Sequence, residues 1–130
     1  MANPPDAAPY GAPVPPARSG RLTLTALAKM VSAGERLAML TAYDASLAGV
    51  CDRAGVDILL VGDSLGMVIQ GHPTTLPVEL SHALYHTRCV VAGSTRPLVI
   101  TDLPFGTYQA GPEDAFRASA AALQAGAQMV

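Results

Sequence analysis

The chain has 130 residues; half are apolar, only 14% are charged, and the net charge is −2. That balance suits a packed globular protein and excludes a disordered chain; with no basic face, nucleic acid is not expected as a partner. No apolar run approaches the ~18 residues a membrane helix needs. The N-terminus also lacks the basic start and apolar core of a signal peptide. No membrane contact is expected, and the cytoplasm is the expected location.

Residues 1–20, "MANPPDAAPYGAPVPPARSG", hold six of the eleven prolines. They are expected to form a disordered tail ahead of one domain at 21–130. From Leu22 the pattern changes. "LTLTALAKMVSAGER" predicts a short amphipathic helix with Leu24, Leu27 and Val31 on its buried face and Gly34 past its end. "LAMLTAY" (37–43) predicts a strand. Asp44 can cap a following helix with Leu47, Val50, Cys51 and Ala54 at i, i+3, i+4, i+7. Gly55 stops that helix.

"VDILLVG" (56–62) runs without alternation, as expected for a strand covered on both faces. A glycine loop follows. Pro77 and Glu79 then suit a first helical turn, and Leu80, Ala83, Leu84, Thr87 and Val91 share one face. Gly93 ends that helix. "PLVIT" (97–101) predicts the next buried strand, "GPEDAFRASAAALQAG" another capped helix, and "AQMV" the opening of a fourth strand.

Helices thus end on Ala-Gly at Gly55, Gly93 and Gly126, each followed by an apolar strand. Strand–helix alternation without hairpin signals implies parallel strands with helical crossovers. An open doubly wound sheet and a (β/α)8 barrel both fit, and in either a ligand binds beyond the C-terminal strand ends.

Asp63 and Asp102 fall at that end of consecutive strands. Neighbouring parallel strands would bring the two carboxylates together, and like charges there need a shared proton or a cation. A hard divalent ion with oxygen ligands, Mg2+ above all, fits best. A single Asp after a strand is more often a helix cap, and Asp44 can be only that. Small residues at Gly62, Gly66 and Gly71 would let the backbone approach a ligand. Ser64 lies outside any Gly-x-Ser-x-Gly pattern, so holding a substrate carboxylate suits it better than nucleophilic attack.

His82 and His86 have zinc-compatible spacing but lack an HExxH pattern and sit inside a crossover helix. His72 lies in the glycine loop, where a ligand contact and a loop-ordering hydrogen bond explain it equally. Tyr43 ends the first strand and either walls the mouth or packs. Met67 and Val68 read as lid or core side chains. Cys51 and Cys89 show neither CxxC nor Cys/His spacing, and read as reduced, buried thiols.

The strings "TAYDASLA", "LLVGDSLGMVIQGHPTTLPV", "YHTR" and "ITDLPFGTY" closely resemble the ketopantoate hydroxymethyltransferase family, from about Leu22 to Val130. The resemblance implies a (β/α)8 barrel of the phosphoenolpyruvate/pyruvate type, with strands 1 to 4 present. It also implies a large homo-oligomer, often a decamer, with Mg2+ and 5,10-methylenetetrahydrofolate. Carried over by position, Asp63 and Asp102 become the metal ligands, and Asp63, Ser64 and Asp102 hold the 2-oxo acid. The reaction implied is hydroxymethyl transfer to C3 of 3-methyl-2-oxobutanoate, giving 2-dehydropantoate. A divalent ion there would polarise the keto oxygen and ease loss of the C3 proton.

The family pattern continues past Met-Val into a Lys and a Glu-Gly, with a further downstream Glu as the expected base, whereas this sequence stops at Val130. A barrel of this kind needs ~250 residues. The chain by itself is therefore expected to be an inactive N-terminal half. Two alternatives compete: another Mg2+-dependent 2-oxo acid lyase or mutase of the same superfamily, and a non-catalytic half-barrel.

Overall fold

The computed structural model describes residues 20–130. The predicted tail, apart from Gly20, lies outside the described residues. Three short strands, β1 (Met39–Thr41), β2 (Ile58–Val61) and β3 (Leu98–Thr101), form one parallel sheet in the order β1-β2-β3. Met39 pairs with Ile58 and Ile58 with Leu98, so Met39, Thr41, Ile58, Leu60, Leu98 and Ile100 share one face. Leu40, Leu59, Val61, Val99 and Thr101 share the other.

Around the sheet run α1 (Leu24–Ser32), α2 (Ala45–Arg53), the single turn α3 (Leu65–Val68), α4 (Leu80–Gly93) and α5 (Pro112–Gln124). The α2 and α4 helices pack together, α4 lies on β2 and β3, and α5 lies beside α4. Leu59, Val61 and Val99 are fully buried in the core that includes Ala48, Cys51 and Val90 from these helices. On the opposite face Leu22, ahead of α1, and Leu27 and Met30 of α1 cover Leu98, with Leu37, Ile58 and Ile100 partly buried beside them. The expectation of a strand covered on both faces therefore holds for one face only; Leu60 stays half-exposed and Met39 is 52% exposed.

Two predicted helix faces are corrected. In α1 the buried stripe is Leu27 and Met30, while Leu24 and Val31 are exposed. In α2 it is Ala48 and Cys51, while Leu47 and Val50 face solvent. The α2–α4 crossing explains the second case. A Cβ at Gly93 would lie 2.2 Å from the Ala45 carbonyl oxygen, and one at Gly49 would lie 3.2 Å from the Gly93 carbonyl oxygen. Backbones that close leave room only for small residues, so the large apolar side chains of α2 turn away.

Gly93 therefore differs from its counterparts in the repeat. Gly55 and Gly126 adopt φ of +83° and +107° after their helices, where a side chain would be strained. Gly93 is the last helical residue and is required by contact instead.

The predicted fourth strand appears as a single parallel bridge, Ile100 to Met129. Gln128 N–H donates to the Val99 carbonyl at 2.9 Å and Thr101 N–H to the Met129 carbonyl at 3.1 Å. The Gln128 side chain extends the pairing by accepting from Val99 N–H at 3.0 Å and donating to the Leu22 carbonyl at 2.9 Å.

The N-terminal ends of the strands are tied by a buried ion pair. Arg96 donates to Asp57 at 2.6 Å, with side chains only 16% and 8% exposed. The same guanidinium reaches the Gly55 and Val56 carbonyls, and the second Asp57 oxygen accepts from Ala38 N–H at 2.9 Å. Removing one partner strands the other charge in a dry site. Arg96→Ala is expected to cost about 3–5 kcal/mol of unfolding free energy; urea denaturation checks it, and a loss comparable to that of an exposed ion pair would show the clamp is unimportant.

Candidate active site

At the opposite edge of the sheet the ladder runs on past the strands. Ala42 N–H donates to the Leu60 carbonyl at 3.1 Å, and Asp102 N–H to the Val61 carbonyl at 2.9 Å. The residues after β1 and β3 are thereby pinned to either side of the end of β2. Tyr43, Gly62–Ser64 and Asp102 meet there because three parallel strands finish together.

The α4 helix reinforces the arrangement. His86 Nδ1 lies 2.6 Å from the Tyr43 carbonyl. A carbonyl only accepts, so Nδ1 carries the proton. One residue on, the buried Thr87 hydroxyl donates to the Ala83 carbonyl at 2.7 Å and pairs with Thr101 Oγ1 at 2.7 Å. One hydroxyl proton is thus spent on Ala83, and Thr101 supplies the other. Adjacent α4 residues hold the ends of β1 and β3.

Asp63 and Asp102 follow the neighbouring strands β2 and β3. Burial of the Asp102 carboxyl, then the negative charge of Asp63, holds the Asp102 pKa above the ordinary carboxylate value. Gly62 sits beneath the Asp102 carboxylate and the Ser64 hydroxyl. A Cβ added there would meet Ser64 Oγ at 3.4 Å and Asp102 Oδ2 at 3.6 Å. The missing side chain keeps hydroxyl and carboxylate clear of the backbone on one small platform.

The Ser64 hydroxyl does not cap α3, although Ser64 occupies the N-cap position. It lies 2.5 Å from the Tyr43 hydroxyl instead. Tyr43 itself is buried, its ring edge-on to His86 with centroids 6.3 Å apart.

The other candidates separate. Asp44 is a helix cap, accepting from Leu47 N–H at 2.8 Å. His82 Nδ1 accepts from Glu79 N–H at 3.2 Å in a capping arrangement at the start of α4, and His86 is committed to Tyr43, so neither ring keeps Nδ1 for a shared metal. The backbone N–H of His72 donates to the Gly66 carbonyl at 2.8 Å, a bond that does not involve the imidazole. Gly66 is required by packing, since its Cβ would lie 2.5 Å from Val78 Cγ2, and Gly71 by its φ of +76°. Of the three loop glycines only Gly62 faces the Asp102 carboxylate. Met67 and Val68 are exposed, so they are not core residues. Cys51 is buried and Cys89 half-buried, and both are free thiols.

A sequence model described as ketopantoate hydroxymethyltransferase matches residues 21–130. The chain belongs to the ketopantoate hydroxymethyltransferase family. Among its relatives is the 3-methyl-2-oxobutanoate hydroxymethyltransferase of Thiobacillus denitrificans, 59% identical over 109 residues, which cover 84% of this chain and 42% of the relative. The enzyme of that name from Ralstonia nicotianae is 60% identical over 109 residues, covering 84% and 39%. That of Leptothrix cholodnii is 53% identical over 124 residues, covering 93% and 43%. The chain thus spans about two fifths of the length of these ketopantoate hydroxymethyltransferase relatives. Asp63, Ser64, Asp102 and the α4 residues behind them all fall inside the matched stretch.

The raised Asp102 pKa has a definite sign in the absence of metal. A carboxyl harder to ionise in the folded state weakens folding once pH exceeds its unfolded value, and the penalty vanishes when both states are protonated. Asp102→Asn is therefore expected to raise the melting temperature at pH 7 in chelator-treated buffer, with the gain shrinking as pH falls through the raised folded pKa and absent below about 4. A variant that is less stable than the parent at pH 7 would contradict the like-charge account.

Proposed function

We propose that this chain supplies the metal- and keto-acid-holding side of a 3-methyl-2-oxobutanoate hydroxymethyltransferase. The reaction moves a hydroxymethyl group from 5,10-methylenetetrahydrofolate to C3 of 3-methyl-2-oxobutanoate, giving 2-dehydropantoate for pantothenate biosynthesis. The observation carrying this reading is the placement of Asp63 and Asp102 just past the neighbouring parallel strands β2 and β3, with Asp102 N–H bonded to the Val61 carbonyl at 2.9 Å. Family membership and the printed names of the relatives agree with it.

The donor set fits a hard cation. The Asp102 carboxylate lies over Gly62, and burial and the charge of Asp63 both oppose its ionisation, a burden that a divalent cation would relieve. Asp63 and Asp102 would hold Mg2+, which when bound supplies Lewis-acid charge to the oxygens of the keto acid. Ser64, beside Asp102, would donate to the substrate carboxylate. Among the described residues no group of three His, Cys, Asp or Glu is placed to hold a metal, so substrate oxygens, water or other parts of the protein would complete the coordination.

The sheet is read as the first part of a (β/α)8 barrel of the phosphoenolpyruvate/pyruvate type. Its sequential order supports this, because a doubly wound sheet reverses direction at its switch point. So does the half-covered apolar face of Met39, Ile58, Leu60 and Ile100, which suits a barrel interior. Among the described residues no helix is long and apolar enough to cross a membrane. A cytoplasmic homo-oligomer, decameric as the family resemblance implies, completes the reading.

Millimolar Mg2+ is expected to raise the melting temperature by several degrees, since a ligand at a hundred times its Kd adds about 2.7 kcal/mol. Asp63→Asn and Asp102→Asn should each abolish the rise. A parent protein indifferent to Mg2+ would sink the reading.

Hydroxymethyl transfer also needs a base for the C3 proton, and the matched relatives are about twice as long as this chain. Assayed by itself, the 130-residue chain is expected to form no 2-dehydropantoate; sustained turnover would overturn that expectation.

A further inference from the structure

The geometry points to Tyr43 as a positioning residue that aims the Ser64 hydroxyl at the substrate carboxylate. This rests on the keto-acid reading of the site given above.

Three observations carry it. First, the hydroxyls of Tyr43 and Ser64 are 2.5 Å apart, and a phenol is the stronger acid, so Tyr43 donates and Ser64 accepts. The Ser64 proton is then free to point elsewhere. Second, Ser64 stands at an N-cap position yet makes no capping bond. Its default local partner has been given up for a residue 21 positions away. Third, Tyr43 has little freedom of its own. It is 7% exposed, its carbonyl accepts from His86 Nδ1 at 2.6 Å, and its ring packs nearly perpendicular to that of His86.

The consequence is directional. A serine that accepts from tyrosine becomes a polarised donor, because hydrogen bonds in a chain strengthen one another. Ser64 Oγ and Asp102 Oδ2 both lie over Gly62. A donor aimed across that platform pairs with an anionic oxygen of a ligand held beside Asp102. Without the tyrosine hydroxyl, Ser64 is free to turn back and cap α3. His86 contributes indirectly, through the tyrosine backbone.

The test uses the protein expressed from its own gene, with 3-methyl-2-oxobutanoate titrated calorimetrically in the presence of Mg2+. Tyr43→Phe keeps the ring and the core packing. It is expected to weaken keto-acid binding about three- to tenfold while leaving Mg2+ binding without keto acid unchanged. Ser64→Ala should weaken it at least as much, and the Tyr43→Phe/Ser64→Ala double variant no further. That non-additivity is what a merely structural tyrosine would not produce. His86→Asn, whose amide can replace the Nδ1 donor, should bind more nearly like the parent than His86→Leu.

Keto-acid binding unaltered in Tyr43→Phe, or additive losses in the double variant, would overturn the assignment and leave the proposed function standing. No Mg2+-dependent keto-acid binding by the parent would remove the proposed function and this assignment together.

Discussion

Two adjacent side chains of α4 decide where the strands on either side of β2 finish. His86 holds the carbonyl of Tyr43, after β1, and Thr87 holds the hydroxyl of Thr101, at the end of β3. Neighbouring helix residues project about 100° apart, so one turn of helix can serve two directions at once. The ladder bonds from Ala42 and Asp102 onto β2 fix the remaining freedom. Side chains that follow the strands therefore inherit positions set by buried hydrogen bonds, even though the residues themselves are partly solvated. This is how a site gains precision while sitting on loops.

The two edges of the sheet carry acids under opposite regimes. At the N-terminal edge Asp57 is matched by Arg96, and both of its oxygens have partners. Nearby, burial works to raise the Asp52 pKa, but bonds from Thr95 N–H, Thr95 Oγ and Arg96 N–H, with the charge of Arg21, more than offset it and leave it lowered. At the C-terminal edge burial, and then the charge of Asp63, raises the Asp102 pKa. The chain thus satisfies its charges where they hold the fold and leaves Asp102 unmatched by a cation, among the described residues, at the opposite edge, where the proposed keto acid and metal would bind. Such residual conflict is the usual mark of a binding site and lowers stability until the ligand arrives.

What the sequence made legible follows from how local each signal is. Asp63 and Asp102 directly follow apolar runs, so their place at strand ends could be read from order alone. The Asp44 cap needs only the three residues that follow it. The buried faces of α1 and α2 were less accessible, because apolar periodicity assumes that the large residues face inward. In α2 the contact between Gly93 and Ala45, 48 positions away, reverses that assumption. The roles of His86 and Tyr43 were hidden for the same reason: their partners lie 43 and 21 residues off, one of them a backbone carbonyl that leaves no trace in composition. The fourth strand was legible as a tendency, and the structure realises it as one bridge.

The glycine loop shows why residue type alone underdetermines chemistry. Gly62, Gly66 and Gly71 look alike in sequence, and each suggests close approach of backbone to ligand. One answers to a valine methyl and one to a left-handed turn; only Gly62 answers to the carboxylate and hydroxyl above it. The apolar mouth segment behaves similarly. Leu65 is buried and anchors the α3 turn, while Met67, Val68 and Ile69 immediately after it are exposed. A fixed residue at the start of the loop and exposed ones beyond it let the first part of the segment be rigid. That rigid part is the one that carries Asp63 and Ser64, so the groups needing exact placement sit between the end of β2 and a buried leucine, where the backbone has least room to move.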